Sequence, residues 1–499
     1  MSEGALVNTG AVRWPDPVLA GVTVRSMQIK LHRWAGEDSS RRFGDLFSLV
    51  YDPAFLVVAW QRVSANKGAN TAGIDKVTAA WVEAVIGAGV FLGQIRDSLK
   101  SGEFRPVEVR QVMIPKGSTG KFRKLGIPAI ADRVVQASLK LVLEPVFEAD
   151  FQPCSYGFRP NRRPHDAIAE IHHLASAPRN YHWVLECDIR ACFDEISHTV
   201  LMDRLRVRVK DKRVCGLVKA FLKSGVLTEP GDREESPAGT PQGGILSPLL
   251  ASIALSALDD YFARQWQQEM GTGKQRAKRR RNGHGNWKLI RYADDFVLMV
   301  SGDRHHAEAL REEVAAVLAP LGLHLAPEKT HVVCIDEGFV FLGHLIRRQR
   351  KRGTQKYYAC TKPSKKAIAT VKDKVKARTY RSTRHMDLDK MITRLNRSLA
   401  GWANYFRYGV SKAVFSAVDS HAWGRLMRWI RARYAGRHRL GMKELRRRFC
   451  GQGWRFACNG VVFTGASSVT VKRYRYRGSN IPTPWTPRPA AATQQLTSG

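Results

Sequence analysis

Lys288-Leu-Ile-Arg-Tyr-Ala-Asp-Asp-Phe-Val-Leu-Met-Val300 sets two adjacent carboxylates, Asp294 and Asp295, between two runs of β-forming apolar residues. This pattern predicts a strand, a tight turn and a second strand. The turn would project both acids from the end of a sheet, where a bound divalent cation lowers the cost of two neighbouring negative charges. By itself the pair is equally compatible with a solvated surface turn.

Two further motifs precede this hairpin in the chain. Val184-Leu-Glu-Cys-Asp188-Ile-Arg-Ala-Cys-Phe193-Asp194 is another β-rich run that ends in an acid. Ala238-Gly-Thr-Pro-Gln242-Gly-Gly-Ile-Leu-Ser-Pro-Leu249 is a Gly/Pro turn followed by an apolar segment, and its glycines allow the backbone to approach a ligand closely. If the two acid-bearing strands are neighbours in one sheet, Asp188 and Asp294 could share a cation.

The order of acid strand, Gln-Gly loop and Asp-Asp hairpin resembles motifs A, B and C of reverse transcriptases. The resemblance implies an α+β chain with the right-hand polymerase fold, fingers and a palm with an antiparallel sheet, followed by an α-helical thumb and maturase domain. It implies two Mg²⁺ ions held by Asp188, Asp294, Asp295 and the carbonyl of Ile189, with Gln242 contacting the incoming deoxynucleoside triphosphate. Phe193 would lie beneath the sugar and exclude ribonucleotides, although a core phenylalanine remains the alternative.

The charge of the chain indicates a polyanionic partner. A formal net charge of +37 on 499 residues draws nucleic acids and makes their binding sensitive to salt. With 44% hydrophobic residues the chain can still bury large cores. We therefore expect a folded protein of two to four domains that binds nucleic acid.

The cysteines and the apolar segments indicate a cytoplasmic protein. None of the eight cysteines forms a Cys-x-x-Cys pair, which argues against zinc fingers and favours reduced thiols. Charged residues interrupt every apolar stretch near the start, so no signal peptide and no membrane association are expected. The charge-free segment 245–258 contains Pro248 and is too short to span a bilayer.

A basic hairpin is predicted between Phe104 and Lys124, with a Gly/Ser turn after Lys116. It resembles the fingers of the family, which implies that Lys116 and Arg123 contact the triphosphate. Solvated strand charges are the alternative. Lys124 departs from the family, which usually has proline there.

Two other segments resemble blocks that contact template and primer. Cys154-Ser-Tyr-Gly-Phe-Arg159-Pro-Asn161 resembles a template-contacting loop, so Arg159 and Asn161 are candidates, with helix capping by Asn161 or Asp166 as the alternative. In 338–345, Leu342 and Gly343 are candidates for gripping the primer, or else belong to a plain core hairpin.

Arginine-rich segments are the candidates for binding RNA. Lys274 to Arg281 carries six basic residues in eight positions, which predicts either a solvated loop or an RNA contact. A later helix has an apolar stripe suited to a core and a basic face. The RNA-binding candidates are Lys274, Arg279, Arg280, Arg281, Arg425, Arg428 and Arg431.

Leu395-Asn-Arg-Ser-Leu-Ala-Gly-Trp402-Ala-Asn-Tyr405-Phe406-Arg407 resembles the thumb and maturase domain of group II intron proteins. Residues 466–499 lack paired cysteines and a His-Asn cluster, so we expect no endonuclease domain there. The expected division is an N-terminal extension at 1–50, fingers and palm at 51–355, a helical thumb and maturase domain at 356–465, and a basic flexible tail at 466–499.

The resemblance implies an RNA-directed DNA polymerase that binds its parent group II intron RNA, assists its splicing and copies it during mobility. The implied partners are that RNA, an RNA template with a DNA primer, deoxynucleoside triphosphates and a DNA target. Two alternatives stay open: a splicing-only maturase, and a domesticated reverse transcriptase in host defence or repair. Retained acids beside a polyanion argue against the first.

Overall fold

The computed structural model describes residues 13–115, 122–229, 231–350, 353–355, 357–434, 441–478 and 480–486. These residues form a mixed α/β structure whose sheets are mostly antiparallel and whose C-terminal region is helical. The α-helices are α1 (Pro17–Glu37), α2 (Phe47–Val50), α3 (Pro53–Ser64), α4 (Ala79–Trp81), α5 (Ala88–Ser101), α6 (Ile130–Glu148), α7 (Pro164–Ala175), α8 (Cys192–Glu195), α9 (His198–Arg208), α10 (Lys212–Leu222), α11 (Ser247–Arg264), α12 (Gly273–Arg281), α13 (Arg304–Leu318), α14 (Lys365–Arg378), α15 (Leu388–Phe406), α16 (Lys412–Tyr434) and α17 (Met442–Phe449). The strands are β1 (Val109–Pro115), β2 (Phe122–Ile127), β3 (Trp183–Asp188), β4 (Val226–Leu227), β5 (Arg233–Glu234), β6 (Asn286–Tyr292), β7 (Asp295–Ser301), β8 (His331–Cys334), β9 (Phe339–Phe341), β10 (His344–Arg350), β11 (Tyr357–Pro363), β12 (Ala457–Cys458) and β13 (Val461–Val462).

The central sheet has the strand order β6-β7-β3-β8, and all its pairings are antiparallel. Alternate residues of β7 enter two different cores: Leu298 belongs to the core that contains α11 and α13, and Met299 belongs to the core that contains α7. Burial on both faces explains why β7 is a continuous apolar run and not an alternating one. The strand-turn-strand predicted around Asp294 is confirmed.

The described residues also form a second four-stranded sheet and a three-stranded sheet. The predicted basic hairpin is present as β1 and β2, and β1 also pairs in parallel with β4 in the order β2-β1-β4-β5. The turn after Lys116 lies outside the described residues. Strands β9, β10 and β11 form a third antiparallel sheet.

Residues of the 13–50 segment contribute to the main core. Helix α1 begins after Asp16, whose side chain accepts hydrogen bonds from the Val18 and Leu19 amides, and it packs against α3 and α6. Its residues Val24 and Leu31 are 2% exposed. Helix α6, predicted as a core helix from its apolar stripe, is buried over nearly its whole length.

The C-terminal helices form a core of their own. Leu395 and Leu399 of α15 and Leu426 of α16 are fully buried in it, as the apolar stripes predicted. The expected boundary at 355/356 falls between β10 and β11, which pair along their whole length in one sheet.

Residues 466–486, as far as they are described, contact distant helices of the fold. We call residues 472–478 and 480–486 the C-terminal strap, which crosses α7 and reaches α1. Arg477 forms an ion pair with Asp166 of α7 at 2.5 Å, and the Trp485 indole donates to Gln28 of α1 at 3.2 Å. The tail's basic and aromatic residues therefore have partners in distant parts of the chain, which composition alone does not reveal.

Across the described residues, no single helix has the length and apolar character needed to cross a membrane. The segments Ala79–Ile86 and Ala88–Ser101 meet that test only when taken together, and they are bent by 103°.

Candidate active site

Asp188 and Asp295 are direct partners across the β3–β7 ladder of the central sheet, although 107 residues apart. Asp294 lies in the two-residue turn between β6 and β7. The preceding residue, Ala293, has a φ of 61°, a left-handed conformation that costs a non-glycine residue about 1 kcal/mol. The sheet thus brings the three acids predicted from sequence to one end, with local backbone strain at the turn.

A cavity of about 620 Å³ opens beside these acids. Asp188 and Asp295 line it on one side, and Leu342 and Gly343 line it from the β9–β10 turn. The Tyr405 hydroxyl of α15 donates to the Leu342 carbonyl at 2.9 Å. The two primer candidates therefore lie at the same cavity as the acids.

The acids disfavour one another's ionised forms. Burial, together with the charges of Asp294 and Asp188, raises the pKa of Asp295 to about 6. Burial and the charge of Asp188 also raise the pKa of Asp294. A cation between these carboxylates would reverse both effects, so the donor set fits a divalent metal ion.

An ammonium group already contacts this cluster. The Lys329 Nζ lies 2.7 Å from an Asp188 carboxylate oxygen, and this hydrogen bond raises the pKa of Lys329. The chain holds the lysine there because the Ala326 amide donates to the Asp188 carbonyl at 2.8 Å. Sequence reasoning assigned Lys329 no role, since nothing local indicates a partner 141 residues away.

A fully buried arginine, Arg291, is hydrogen-bonded to the turn that carries Asp294. Arg291 pairs with Asp259 of α11, and both side chains have no solvent exposure. The second amino group of Arg291 donates to the Ala293 carbonyl at 2.8 Å, and Ser155 also accepts from the guanidinium. This pair was missed from sequence, because nothing local to Arg291 indicates a carboxylate partner 32 residues earlier in the chain.

A glycine packs against the same turn from the loop before α7. A Cβ on Gly157 would lie 2.2 Å from the Ala293 amide nitrogen, a distance at which something must move. The flanking Tyr156 amide donates to the Arg291 carbonyl at 2.8 Å. The position therefore admits only glycine without displacing the turn.

The Gln-Gly loop joins the acid strand to the basic hairpin. The Thr240 amide donates to the Phe193 carbonyl at 2.6 Å, and the Gly126 amide of β2 donates to the Gln242 carbonyl at 2.7 Å. Gly243 has a φ of 117°, a conformation that favours glycine. Two of the predicted triphosphate contacts are here: Gln242 belongs to this loop and Phe193 is hydrogen-bonded to it, and both residues are half-buried.

Arg123 is exposed on β2, and its charge is among the influences that lower the pKa of Asp294, against the larger effect of burial. Lys116 lies outside the described residues. The buried Ile189 forms an isolated antiparallel bridge with Leu325, directly after Asp188. The Phe193 ring lies edge-on to Phe158 with centroids 6.3 Å apart.

Arg159 is corrected from a template contact to a structural residue. Its side chain is 3% exposed, and its five N–H groups are used by Glu148 and by the carbonyls of Gln152, Ser155 and Phe151. No donor remains for a nucleic acid. Sequence gave no sign of this because Glu148 lies on the preceding helix.

Asn161 is exposed, has a φ of 60° and donates from its side chain to the Pro482 carbonyl of the strap at 3.1 Å. The capping role left open for this loop falls to Asp166, which accepts from the Arg163 amide at 2.8 Å at the start of α7. Asn161 thus has a neighbour in the strap that competes with any template contact.

The basic run at 274–281 forms helix α12, which corrects the expected loop. Arg279 donates to the Gly285 carbonyl and is partly buried, whereas Lys274 and Arg281 are exposed and Arg280 is half-exposed. On α16, Arg425 donates to the Thr379 carbonyl at the end of α14. Arg428 is exposed and Arg431 is half-exposed.

Comparisons with known proteins place the chain in a family. The model for "Reverse transcriptase (RNA-dependent DNA polymerase)" matches residues 114–346, and that for "Group II intron, maturase-specific domain" matches residues 368–449. The chain is 38% identical to protein YkfC of Escherichia coli (strain K12) over 69% of this chain and 93% of YkfC.

Two other relatives are longer than the region they share with this chain. The group II intron-encoded protein LtrA of Lactococcus lactis subsp. cremoris is 32% identical over 64% of this chain and 59% of LtrA. The uncharacterized 91 kDa protein in cob intron of Schizosaccharomyces pombe is 30% identical over 59% of this chain and 40% of that protein. The match thus spans less than two thirds of each.

The chain belongs to the reverse transcriptase family, in the group that carries the group II intron maturase domain. It is an RNA-directed DNA polymerase with a maturase domain, and its function is that of the reverse transcriptases and maturases of group II intron splicing and mobility. Nucleic acids, including intron RNA, are the substrates of this family, which normally uses divalent metal ions. The resemblance seen in the sequence is confirmed.

Proposed function

We propose that the chain copies an RNA template into DNA in a right-hand arrangement. The central sheet would be the palm, the β1–β2 hairpin part of the fingers, and α14 to α16 the thumb and maturase domain, which begins after β11. The observation that carries this proposal is the direct pairing of Asp188 with Asp295, next to Asp294 in the strained turn.

Asp188, Asp294, Asp295 and the Ile189 carbonyl would hold two Mg²⁺ ions. The bound ions would neutralise the triphosphate and lower the pKa of the primer 3′-hydroxyl. The raised pKa values of Asp294 and Asp295 support this, because clustered acids favour a divalent cation. The Lys329 ammonium now neutralises the Asp188 carboxylate, and it would have to move when a metal ion binds that carboxylate.

The incoming deoxynucleoside triphosphate would lie between the basic hairpin and the Gln-Gly loop. Arg123 would bind phosphate as a bidentate fork, with Lys116 as a point charge. Gln242 and Phe193 would contact the sugar, where the ring leaves a 2′-hydroxyl without a partner. Leu342 and Gly343 would position the primer end.

The protein would bind its parent intron RNA through exposed arginines, assist its splicing and copy it at a DNA target. The net charge of +37 supports contact with a long polyanion, and exposed Arg428 and Arg281 are suited to phosphates. It would act where that RNA is made, in the cytosol or nucleoid of a bacterial cell.

Primer extension and RNA binding by Asp294→Ala test this function together. DNA synthesis should fall at least about a thousandfold, because the metal-binding acids contribute several kcal/mol to the transition state. Binding of a group II intron RNA should change by less than about twofold, since phosphate contacts lie elsewhere. Asp97→Ala on α5, whose side chain is 76% exposed, is the charge-matched control and should retain both activities.

Retained synthesis in Asp294→Ala would overturn the site assignment. If Asp97→Ala also loses DNA synthesis, the loss in Asp294→Ala would follow from the removal of a negative charge and not from damage to the metal site. Asp294→Asn keeps the size of the side chain, so it separates a metal defect from a folding defect: loss of both activities there contradicts the proposal.

A further inference from the structure

A cavity of about 770 Å³ lies between α7, the β10–β11 hairpin and the C-terminal strap. Several aromatic and imidazole rings line its walls, among them His173, His344, Tyr358, Tyr408, Tyr474 and Tyr476. The volume is in the range of sites that take one or two nucleotide-sized groups.

A layer of rings separates this cavity from the one beside the catalytic acids. His344 and His165 line the new cavity, and both contact Tyr405, which lines the other. The His165 imidazole lies 2.6 Å from the Tyr405 carbonyl. The new cavity is therefore a separate site that shares one wall with the active-site cavity.

The positive charges of this cavity have no carboxylate partners in the described parts of the chain. Arg179, Arg473 and Arg475 line it, and none of them forms an ion pair there, nor does any acidic residue line it. The two nearby acids are already used: Asp166 pairs with Arg477, and Glu170 pairs with Lys288 at 2.5 Å. The lining of the cavity therefore has an excess of positive charge next to exposed aromatic rings.

A second cavity of about 380 Å³ continues the first. The two share His173, Arg179 and Tyr476. The second adds Trp266, Arg280 and the ion pair of Glu170 with Lys288, in which the carboxylate is already neutralised. The Tyr476 ring is stacked on His173 with centroids 4.4 Å apart and 21° between the planes, and Tyr476 stays 36% exposed. Together the two cavities form a groove, which we call the strap groove, with rings and arginines along its length.

We propose that the strap groove binds a single-stranded segment of nucleic acid, with bases stacked on its tyrosine and histidine rings and phosphates on Arg179, Arg280, Arg473 and Arg475. Proteins hold single strands with this combination of basic groove and ring faces. An acidic peptide would satisfy the arginines but would leave the ring faces unused. The proposal does not depend on the polymerase assignment, because none of these residues belongs to the metal or triphosphate site.

Neighbouring tyrosines on β11 provide a matched pair for testing the groove. Tyr358 lines the cavity and is 41% exposed. Tyr357 is 52% exposed but points to the other face of the strand, where the Arg348 guanidinium lies 5.0 Å from its ring. Replacing either ring costs little packing, so a difference in binding reports the groove itself.

The test uses the full-length protein with its active-site cavity occupied by a template–primer duplex. Binding of a fluorescein-labelled oligoadenylate RNA of about 12 nucleotides is measured by anisotropy for Tyr358→Leu, Tyr358→Phe and Tyr357→Leu. Tyr358→Leu should weaken binding about tenfold, which is the size expected for one lost base stack, and Tyr358→Phe should restore it. Tyr357→Leu should bind like the parent.

A charge comparison and three competitors complete the experiment. Arg473→Ala/Arg475→Ala should weaken binding more than Arg33→Ala/Arg304→Ala, which removes two exposed arginines outside the groove. The oligodeoxyadenylate of equal length distinguishes DNA from RNA as the preferred strand. An abasic oligonucleotide and polyglutamate of equal charge should compete poorly.

Equal effects of Tyr358→Leu and Tyr357→Leu would overturn the proposal. So would abasic or polyglutamate competitors that match the RNA, since they would show a general polyanion surface or a peptide site. Primer extension by the same variants should remain at the parental rate, so a failure of the groove is distinguishable from a failure of the polymerase assignment.

Discussion

Arg291 and Asp259 form an ion pair closed to solvent, and the same guanidinium donates to the Ala293 carbonyl in the turn that carries Asp294. Removing a charge from such a pair leaves its partner buried and uncompensated. The acidic turn therefore depends on a residue of α11 that never contacts substrate.

Asp259→Ala should lower the free energy of unfolding by about 3 to 5 kcal/mol, because Arg291 would stay buried without its counter-charge. Asp260→Ala is the adjacent control: its partner Arg204 is 29% exposed, and the loss should be about 1 kcal/mol or less. Urea denaturation of both variants measures this. Equal decreases in the free energy of unfolding would show that the buried Arg291–Asp259 pair contributes no more to stability than the exposed Arg204–Asp260 pair.

Gly157→Ala should reduce DNA synthesis while the protein stays folded, since the new Cβ would lie 2.2 Å from the Ala293 amide and displace the turn. A shift of about 1 Å at a catalytic group can cost a hundredfold in rate. Gly93→Ala, in α5 with nothing within 4 Å, should keep parental activity and gain about 1 kcal/mol of stability. Primer extension and circular dichroism decide the outcome, and parental activity in Gly157→Ala would contradict the prediction.

Phe193→Ala should raise the use of ribonucleotides relative to deoxynucleotides, because the ring no longer meets a 2′-hydroxyl. The measurement is the ratio of kcat/KM for a ribonucleotide and its deoxy counterpart. Phe193→Tyr retains the ring and should keep the parental ratio. If the ratio for Phe193→Ala does not rise, Phe193 is a packing residue beside Phe158 and not a gate.

Arg428→Ala should weaken binding of intron RNA and reduce the dependence of log affinity on log salt by about 0.7 to 1, the contribution of one phosphate contact. Arg425→Ala should change the slope little, since Arg425 donates to carbonyls at the end of α14 and acts on stability. Titrations of RNA at several salt concentrations measure both slopes. Identical slopes in Arg428→Ala and the parent would remove this face of α16 from the RNA surface.

Asp132→Asn should stabilise the protein more at pH 8 than at pH 5. Burial, with a smaller effect from the charge of Asp75, raises the folded-state pKa of Asp132 from 3.8 to about 7. The stability contributed by the protonated acid is complete below pH 3.8 and is lost as the pH rises through 7. The increase in the free energy of unfolding caused by Asp132→Asn should therefore be larger at pH 8 than at pH 5 by about 2 to 3 kcal/mol. Urea denaturation at the two pH values measures it. A gain independent of pH would show that Asp132 is not protonated in the fold.

The central hairpin, the basic hairpin and the C-terminal helices were predictable because each rests on a local pattern of strand, turn or apolar stripe. The order of the three motifs suggested that the strands carrying Asp188 and Asp294 are neighbours, but the direct pairing of Asp188 with Asp295 is visible only in the structure. Lys329 and the Asp259 partner of Arg291 were not predictable, since their contacts join segments with no local signature. Arg159 was misassigned for the same reason: an arginine in a loop does not show whether a carboxylate lies buried beside it.

The contact between Trp485 and Gln28 spans 457 residues of chain. On a ribosome, α1 emerges long before Trp485, whose indole covers Gln28 and packs 5.6 Å from the His32 ring. Loop closure over such a separation is slow compared with local helix formation. The indole can therefore cover Gln28 only after the C-terminal strap has been made, whereas α1 can pack against α3 and α6 earlier.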